Sequence, residues 1–212
     1  MATWWTRPIE PTDAGRFRPD VVVTAVASWS WPGAYPVEVE GTQPTSAVIV
    51  RVPVPRPLDR IRKRWDRAAR LGVPAHLTVL YPFVYPAELT RDIRRELAEV
   101  AARHEPFQVR FDRVGRWPAV VFLAPEPAEP LARLTHDFAA LFPDYPPYGG
   151  AFDEVVPHLT VTENADAPLD AIAEEADEVL PFEHAITSLA VLIETTDGRW
   201  HGHWRLPLGR RA

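Results

Sequence analysis

The sequence predicts an α+β fold built twice over, and three observations predict it. The tetrapeptide His-Leu-Thr-Val occurs at 76–79 and again at 158–161. The two copies lie 82 residues apart, far enough for each to occupy its own half of a duplicated domain. Around each copy one order of patterns recurs: helix, His-Leu-Thr strand, helix, hairpin. The period of that order is close to the spacing of the motifs.

Residues 1–45 stand apart as a Trp/Pro-rich N-terminal extension. Trp4, Trp5, Trp29 and Trp31 are half of the eight tryptophans of the chain. Val21–Val26 reads as a strand, and Trp31-Pro32-Gly33 as a turn. Such aromatics are expected to pack an added strand onto the domain; stacking on bases is the other use of them.

The repeated domain is expected over 46–208, with one lobe over about 46–125 and the other over about 126–208. Ser46–Val52 is a β-branched run closed by Pro53, Pro55 and Pro57. Leu58–Arg70 has an apolar stripe of Leu58, Ile61, Trp65 and Ala68 at helical spacing. Its other face carries Arg60, Arg62, Lys63, Arg64, Arg67 and Arg70, a face that either steers a phosphate or is simply solvated. Gly72 stops the helix. After the first motif strand, Pro86 opens a helix to about Arg103, with Leu89, Ile93, Leu97 and Val100 inward. Phe107–Val114 alternates as a strand, Gly115–Pro118 turns, and Ala119–Ala124 returns as the second arm of an antiparallel hairpin.

The scheme then starts over. Pro130–Phe142 is a helix with Leu131, Leu134, Phe138 and Leu141 inward. Pro143–Gly150 is a Pro-, Tyr- and Gly-rich loop expected to form a cleft wall or lid. Phe152–Thr162 holds the second motif strand. Pro168–Leu180 is a helix with Leu169, Ile172, Ala176 and Val179 inward. Phe182–Glu194 is strand-like, Thr196–Arg199 turns, and Trp200–Leu206 returns.

In a strand, residues i and i+2 share a face. His76 and Thr78 therefore share one, with Leu77 and Val79 on the other, and His158 and Thr160 do the same. Two equivalent strands related by a two-fold axis present these His-Thr faces to a common space. Tyr81 and Phe83 could stack a base near the first site; if the alternation persists, they point into the core with Leu77 and Val79 instead.

Histidine exchanges protons near neutral pH. Two histidines on opposite sides of a substrate can act as base and acid at once, which in-line displacement at a phosphodiester requires. Threonine hydroxyls can hold the non-bridging oxygens as charge develops. The scheme calls for no metal or other cofactor. Which histidine is base and which is acid stays open. His201-Gly202-His203 is a further i, i+2 pair with the spacing of a zinc site, but no third ligand has an evident place. Glu154 and Glu163 flank the second motif without a spacing that singles one out.

The pair His76-Leu77-Thr78-Val79 and His158-Leu159-Thr160-Val161 resembles the 2H phosphoesterase superfamily, which includes RNA 2′,5′-ligase-like proteins and cyclic nucleotide phosphodiesterases. The resemblance runs over roughly Thr45–Leu208. It implies a bilobal α+β fold of pseudo-two-fold symmetry, with two antiparallel sheets and flanking helices around a central cleft. It implies His76 and His158 as the catalytic pair, and Thr78 and Thr160 as phosphate-binding residues. The activity implied is cleavage of a 2′,5′- or 2′,3′-cyclic phosphodiester of a nucleotide or RNA end. A module that captures a phosphorylated ligand without turnover, or an RNA 2′,5′-ligase, would use the same residues.

Composition sets outer limits. At 212 residues, 46% apolar and 25% charged, the chain can bury a core. It has no cysteine, which excludes disulfides, thiolate metal sites and a Cys nucleophile and fits a cytoplasmic setting. The net charge of −6 argues against bulk nucleic-acid binding and leaves room for a nucleotide or RNA end in a locally basic cleft. No apolar run reaches the ~18 residues of a membrane span. Met1–Pro11 lacks a basic region followed by an apolar stretch, so no signal peptide is expected.

Overall fold

A computed structural model describes residues 44–152 and 155–209. The aromatic extension read from the sequence lies almost wholly outside these residues, as does Glu154. Among the described residues eight strands form two four-stranded antiparallel sheets. They are β1 (Ser46–Arg51), β2 (His76–Phe83), β3 (Phe107–Trp117), β4 (Val120–Glu126), β5 (Leu159–Glu163), β6 (Phe182–Ile186), β7 (Ser188–Glu194) and β8 (Trp200–Pro207). One sheet has the order β2-β1-β7-β8, the other β5-β4-β3-β6. The motif strands β2 and β5 are thus matching edge strands. Among the described residues five α-helices flank the sheets: α1 (Arg56–Trp65), α2 (Arg67–Arg70), α3 (Arg91–Ala101), α4 (Glu129–Leu141) and α5 (Leu169–Asp177).

The repeating unit is strand, helix, motif strand, helix: β1-α1-β2-α3 and then β4-α4-β5-α5. The two units exchange material. Strand β3 leaves the first unit for the second sheet, where it pairs with β4 and β6. Strand β7 leaves the second unit for the first sheet, where it pairs with β1 and β8. Each sheet therefore takes two strands from residues before about 125 and two from after, so the sheets do not follow the sequential division expected there. Phe182–Glu194, which reads as one strand-like stretch, is two strands in different sheets, separated by Thr187. Helix α1 packs against β5, and α4 against β2. One continuous core joins the inner faces of both sheets with the helices, from Val48, Val50 and Leu77 through Phe111, Leu123 and Leu159 to Leu189 and Val191.

Local chemistry explains the boundaries. The expected helix Leu58–Arg70 is broken at Asp66, whose extended backbone (φ −93°, ψ 121°) ends α1. Its carboxylate then accepts from the Ala68 and Ala69 amides and starts α2 as an N-cap. Thr90 caps α3 in the same manner through the Ile93 amide. Strand β3 runs through Trp117, three residues beyond the expected Val114, so the hairpin turns on Pro118-Ala119 alone. Leu141, expected inward, is exposed at the end of α4.

Each motif strand carries an extra residue at the same place, and β2 carries a second between Leu80 and Phe83. Ile49 pairs with Thr78, but Val48 pairs with Leu80, leaving Val79 as a bulge. Phe122 pairs with Thr160, but Val121 pairs with Thr162, leaving Val161 as its counterpart. A bulge reverses which face the following residues take. Tyr81 and Glu163, each five residues beyond its histidine, consequently face the side of His76 and His158. The expectation that Tyr81 points into the core assumed unbroken alternation, and Val79 breaks it. Phe83 does reach the core, against Phe142 and Tyr145, because the second register shift, between Leu80 and Phe83, reverses the faces again.

Candidate active site

His76, Thr78, His158 and Thr160 line one cavity of about 140 Å³ between the edge strands. All four residues singled out in the sequence are brought together there. Arg62, Asp66, Tyr81, Tyr148 and Glu163 line the same cavity.

The two imidazoles are held alike. His76 Nδ1 lies 2.8 Å from the carbonyl oxygen of Pro74, and His158 Nδ1 lies 2.8 Å from that of Val156. In each case the acceptor is two residues upstream. A carbonyl only accepts, so each Nδ1 must carry the hydrogen and donate it. Each Nε2 is left to exchange a proton with whatever occupies the cavity. The rings differ in their surroundings. His158 sits edge-on to Trp117 at 4.8 Å and to Phe122 at 5.8 Å. Trp117 and Phe122 themselves stack at 4.0 Å. Gly115 makes room for this seat, because a Cβ there would overlap the Phe122 ring.

Both histidines favour the neutral form. Burial lowers the pKa of His76, as do the charges of Arg62 and His158, to about 4. Burial likewise lowers His158. An anionic ligand between them would act in the opposite sense on both.

Arg62 is the residue that sequence reading placed wrongly. It is on the helix face read as basic, there either to steer a phosphate or simply solvated, yet it is 2% exposed. Its Nε donates to the Thr160 carbonyl at 3.0 Å, and one terminal nitrogen donates to Asp66 Oδ2 at 2.9 Å. Helix α1 of the first unit thereby fixes the backbone of the second motif. Burial works against both charges, raising the Asp66 pKa and lowering that of Arg62, while their mutual attraction opposes both shifts. A signal was present: Arg62 lies four residues after buried Leu58 and four before Asp66, on one helical stripe. Glu163 completes this corner. Burial, helped by the negative charge of Asp66, raises its pKa to about 8, so it carries a proton at neutral pH.

Tyr148 closes the cavity from the turn Pro147–Gly150, which packs on β2. The loop expected as wall or lid is a wall here. Tyr148 has φ 53° and ψ 31°, the left-handed region that residues other than glycine rarely enter. Its hydroxyl is hydrogen-bonded to the Thr78 side chain, and burial pushes its pKa up to about 12. Nothing in hydropathy patterning marks Tyr148, because the turn that aims it has no period. His201 and His203 are exposed on β8 and do not line this cavity. Among the described residues, no group of three or more His, Cys, Asp or Glu stands at metal-binding spacing. No helix there is long and apolar enough to cross a membrane.

An α+β fold of two antiparallel sheets with twin His-x-Thr edge strands lining one cavity defines a class. Its family model, described as the 2'-5' RNA ligase superfamily, matches residues 50–198, and the chain belongs to that family. Among curated relatives, it is 26% identical over 147 residues to a Geobacillus kaustophilus protein provisionally named a phosphoesterase. That match covers 66% of this chain and 80% of the other. It is 28% identical over 157 residues to a Bacillus cereus protein of the same provisional name, covering 71% and 87%. Among solved structures, a Thermus thermophilus protein superposes with a TM-score of 0.53 at 20% identity, over 79% of this chain and 100% of that one, a likeness of fold.

Proposed function

We propose that this protein is a metal-independent phosphoesterase acting on 2′,5′- or 2′,3′-cyclic phosphodiesters of a nucleotide or RNA end. The observation that carries the reading is the matched pair of imidazoles, both lining one cavity and each with Nδ1 tied to a carbonyl, which leaves Nε2 as the exchanging nitrogen. One Nε2 takes a proton from the attacking oxygen as it bonds to phosphorus. The other gives a proton to the oxygen whose bond to phosphorus breaks. The Thr78 and Thr160 hydroxyls donate to the non-bridging oxygens as negative charge grows there. Arg62 is a positioning residue that acts through the Thr160 backbone and lowers the proton affinity of His76.

The test is turnover on 2′,3′-cyclic nucleotides and 2′,5′-linked dinucleotides. His76→Ala and His158→Ala should each lower kcat about 10²–10⁴-fold, the range for losing a general acid or base. Protein treated with a chelator should keep its full rate. Undiminished turnover in either variant overturns the assignment. Binding of a nucleotide 2′- or 3′-phosphate with no turnover of any member of the panel would favour a phosphate-binding module instead.

A further inference from the structure

Each motif threonine is held from the opposite unit. Arg62, on α1 ahead of the first motif, donates to the carbonyl of Thr160 in the second. Tyr148, in the turn ahead of the second motif, is hydrogen-bonded through its hydroxyl to the side chain of Thr78 in the first. The packing is crossed in the same sense: α1 lies against β5, and the turn Pro147–Gly150 lies against β2. The two braces differ in kind. Arg62 grips a backbone atom and so fixes where Thr160 stands. Tyr148 grips a hydroxyl, and a grip on a hydroxyl also sets where its hydrogen points.

The backbone of the turn goes out of its way to make this contact. Tyr148 (φ 53°), Gly149 (φ 63°) and Gly150 (φ 75°) follow one another in the left-handed region. Glycine enters that region freely and tyrosine does not. A residue held in such a conformation points to work done by its side chain. The ring stands edge-on to Phe152 at 5.7 Å and lies 6.5 Å from the His158 imidazole, with 19° between the planes. One side chain thus bridges both motifs, with its ring beside His158 and its hydroxyl on Thr78.

A hydroxyl has one hydrogen and two lone pairs. A phenol is a stronger acid than an aliphatic alcohol, so Tyr148 is the better donor of the two. When Tyr148 Oη donates to Thr78 Oγ1, it occupies a lone pair of the threonine and leaves the threonine hydrogen for the cavity. A hydroxyl that accepts one hydrogen bond donates the next more strongly. Burial keeps the phenol protonated, with a pKa of about 12, so this donor persists wherever the histidines work.

We propose that Tyr148 is a positioning residue, which donates to Thr78 and thereby turns the Thr78 hydroxyl hydrogen toward a non-bridging oxygen of the substrate. This rests on the proposed phosphoesterase reading and goes beyond it, because it makes the twin threonines unequal. The oxygen at Thr78 meets a hydrogen aimed through a relay of two hydroxyls; the oxygen at Thr160 meets a hydroxyl placed through its backbone.

A double-mutant cycle on the full chain tests the relay. Y148F keeps the ring and removes only the donor. On uridine 2′,3′-cyclic phosphate it should lower kcat/KM by roughly five- to tenfold, the worth of one hydrogen bond between neutral groups. T78V should lower it by about 10²-fold, as for the loss of one donor to the developing charge. Y148F/T78V should match T78V within about twofold, since the tyrosine acts only through that hydroxyl. In T78S and T160V backgrounds, Y148F should keep its full effect. A Y148F rate equal to that of the native chain, or losses that multiply in Y148F/T78V as they would for a mere wall, would overturn the proposal. If the native chain turns over no phosphodiester, the phosphoesterase reading fails, and the same cycle is read by calorimetric titration with uridine 3′-phosphate. Y148F and T78V should then each weaken binding about threefold or more, and the double variant should bind no more weakly than T78V. Absent binding, an undiminished affinity in Y148F, or multiplying losses would overturn the relay there too.

Discussion

At the two histidines, one carbonyl each decides which nitrogen is available, and the cavity wall decides when it is charged. With both pKa values lowered, the acidic limb of kcat/KM belongs below the ordinary imidazole value of 6.5. The maximum should therefore fall on the acid side of pH 6.5. Arg62→Gln should move that limb upward, because the guanidinium charge is one cause of the depression of His76. A limb that stays in place would show that Arg62 acts on Thr160 alone. Stability follows the same protons. Between pH 4 and 6.5 the unfolded chain binds a proton at His76 that the native chain refuses, so this contribution is present above 6.5 and lost as pH falls toward 4. Glu163 has the opposite sign. From pH 4.5 to 8 the native chain holds a proton that the unfolded chain gives up, so stability is lost as pH rises through 8. Glu163→Gln should leave the denaturation midpoint unchanged at pH 4.5 and raise it by a few degrees at pH 9. Equal midpoints at pH 9 would mean that Glu163 ionises freely.

Elements translate these residues into position. Helix α1 begins in one unit and ends by bonding the motif of the other, through a pair of charges that water hardly reaches. Arg62→Met leaves Asp66 buried without its cation, and the cost should be about 3–5 kcal/mol in chemical denaturation. R62M/D66S, which removes the charge and keeps a capping oxygen, should cost less than R62M. The β3–β4 hairpin makes the seat of His158. Gly115→Ala drives a methyl group into the Phe122 ring, and both turnover and stability should fall. Most of these elements were legible in the sequence, because amphipathic periods and proline stops are local signals. The catalytic candidates were legible for the same reason: His and Thr two residues apart in a strand share a face whatever the fold. Tyr81, Glu163 and Arg62 were not. Their orientation is set by a bulge in a paired strand or by burial under another element, and neither leaves a period in the chain.

At the scale of the whole molecule, the exchange of β3 and β7 ties the halves together. A fragment covering 46–125 would contain only two strands of each sheet and half of the shared core. Expressed alone, it should remain unfolded by circular dichroism. The intact chain should unfold in one transition that coincides by tryptophan fluorescence and circular dichroism; two separated transitions would contradict a shared core. Duplication was visible in the sequence, but the exchange was not, because which sheet a strand joins is decided by partners far along the chain. The twin bulges add a constraint of another kind. Side chains at 81 and 163 can be exchanged for others without disturbing the strands, since they project toward the cavity. Removing Val79 or Val161 would instead rotate everything downstream by half a turn, delivering Tyr81 or Glu163 to hydrocarbon and its apolar neighbour to water. Spelling is negotiable in these segments and letter count is not, so a single-codon deletion should harm this protein where most point changes nearby do not.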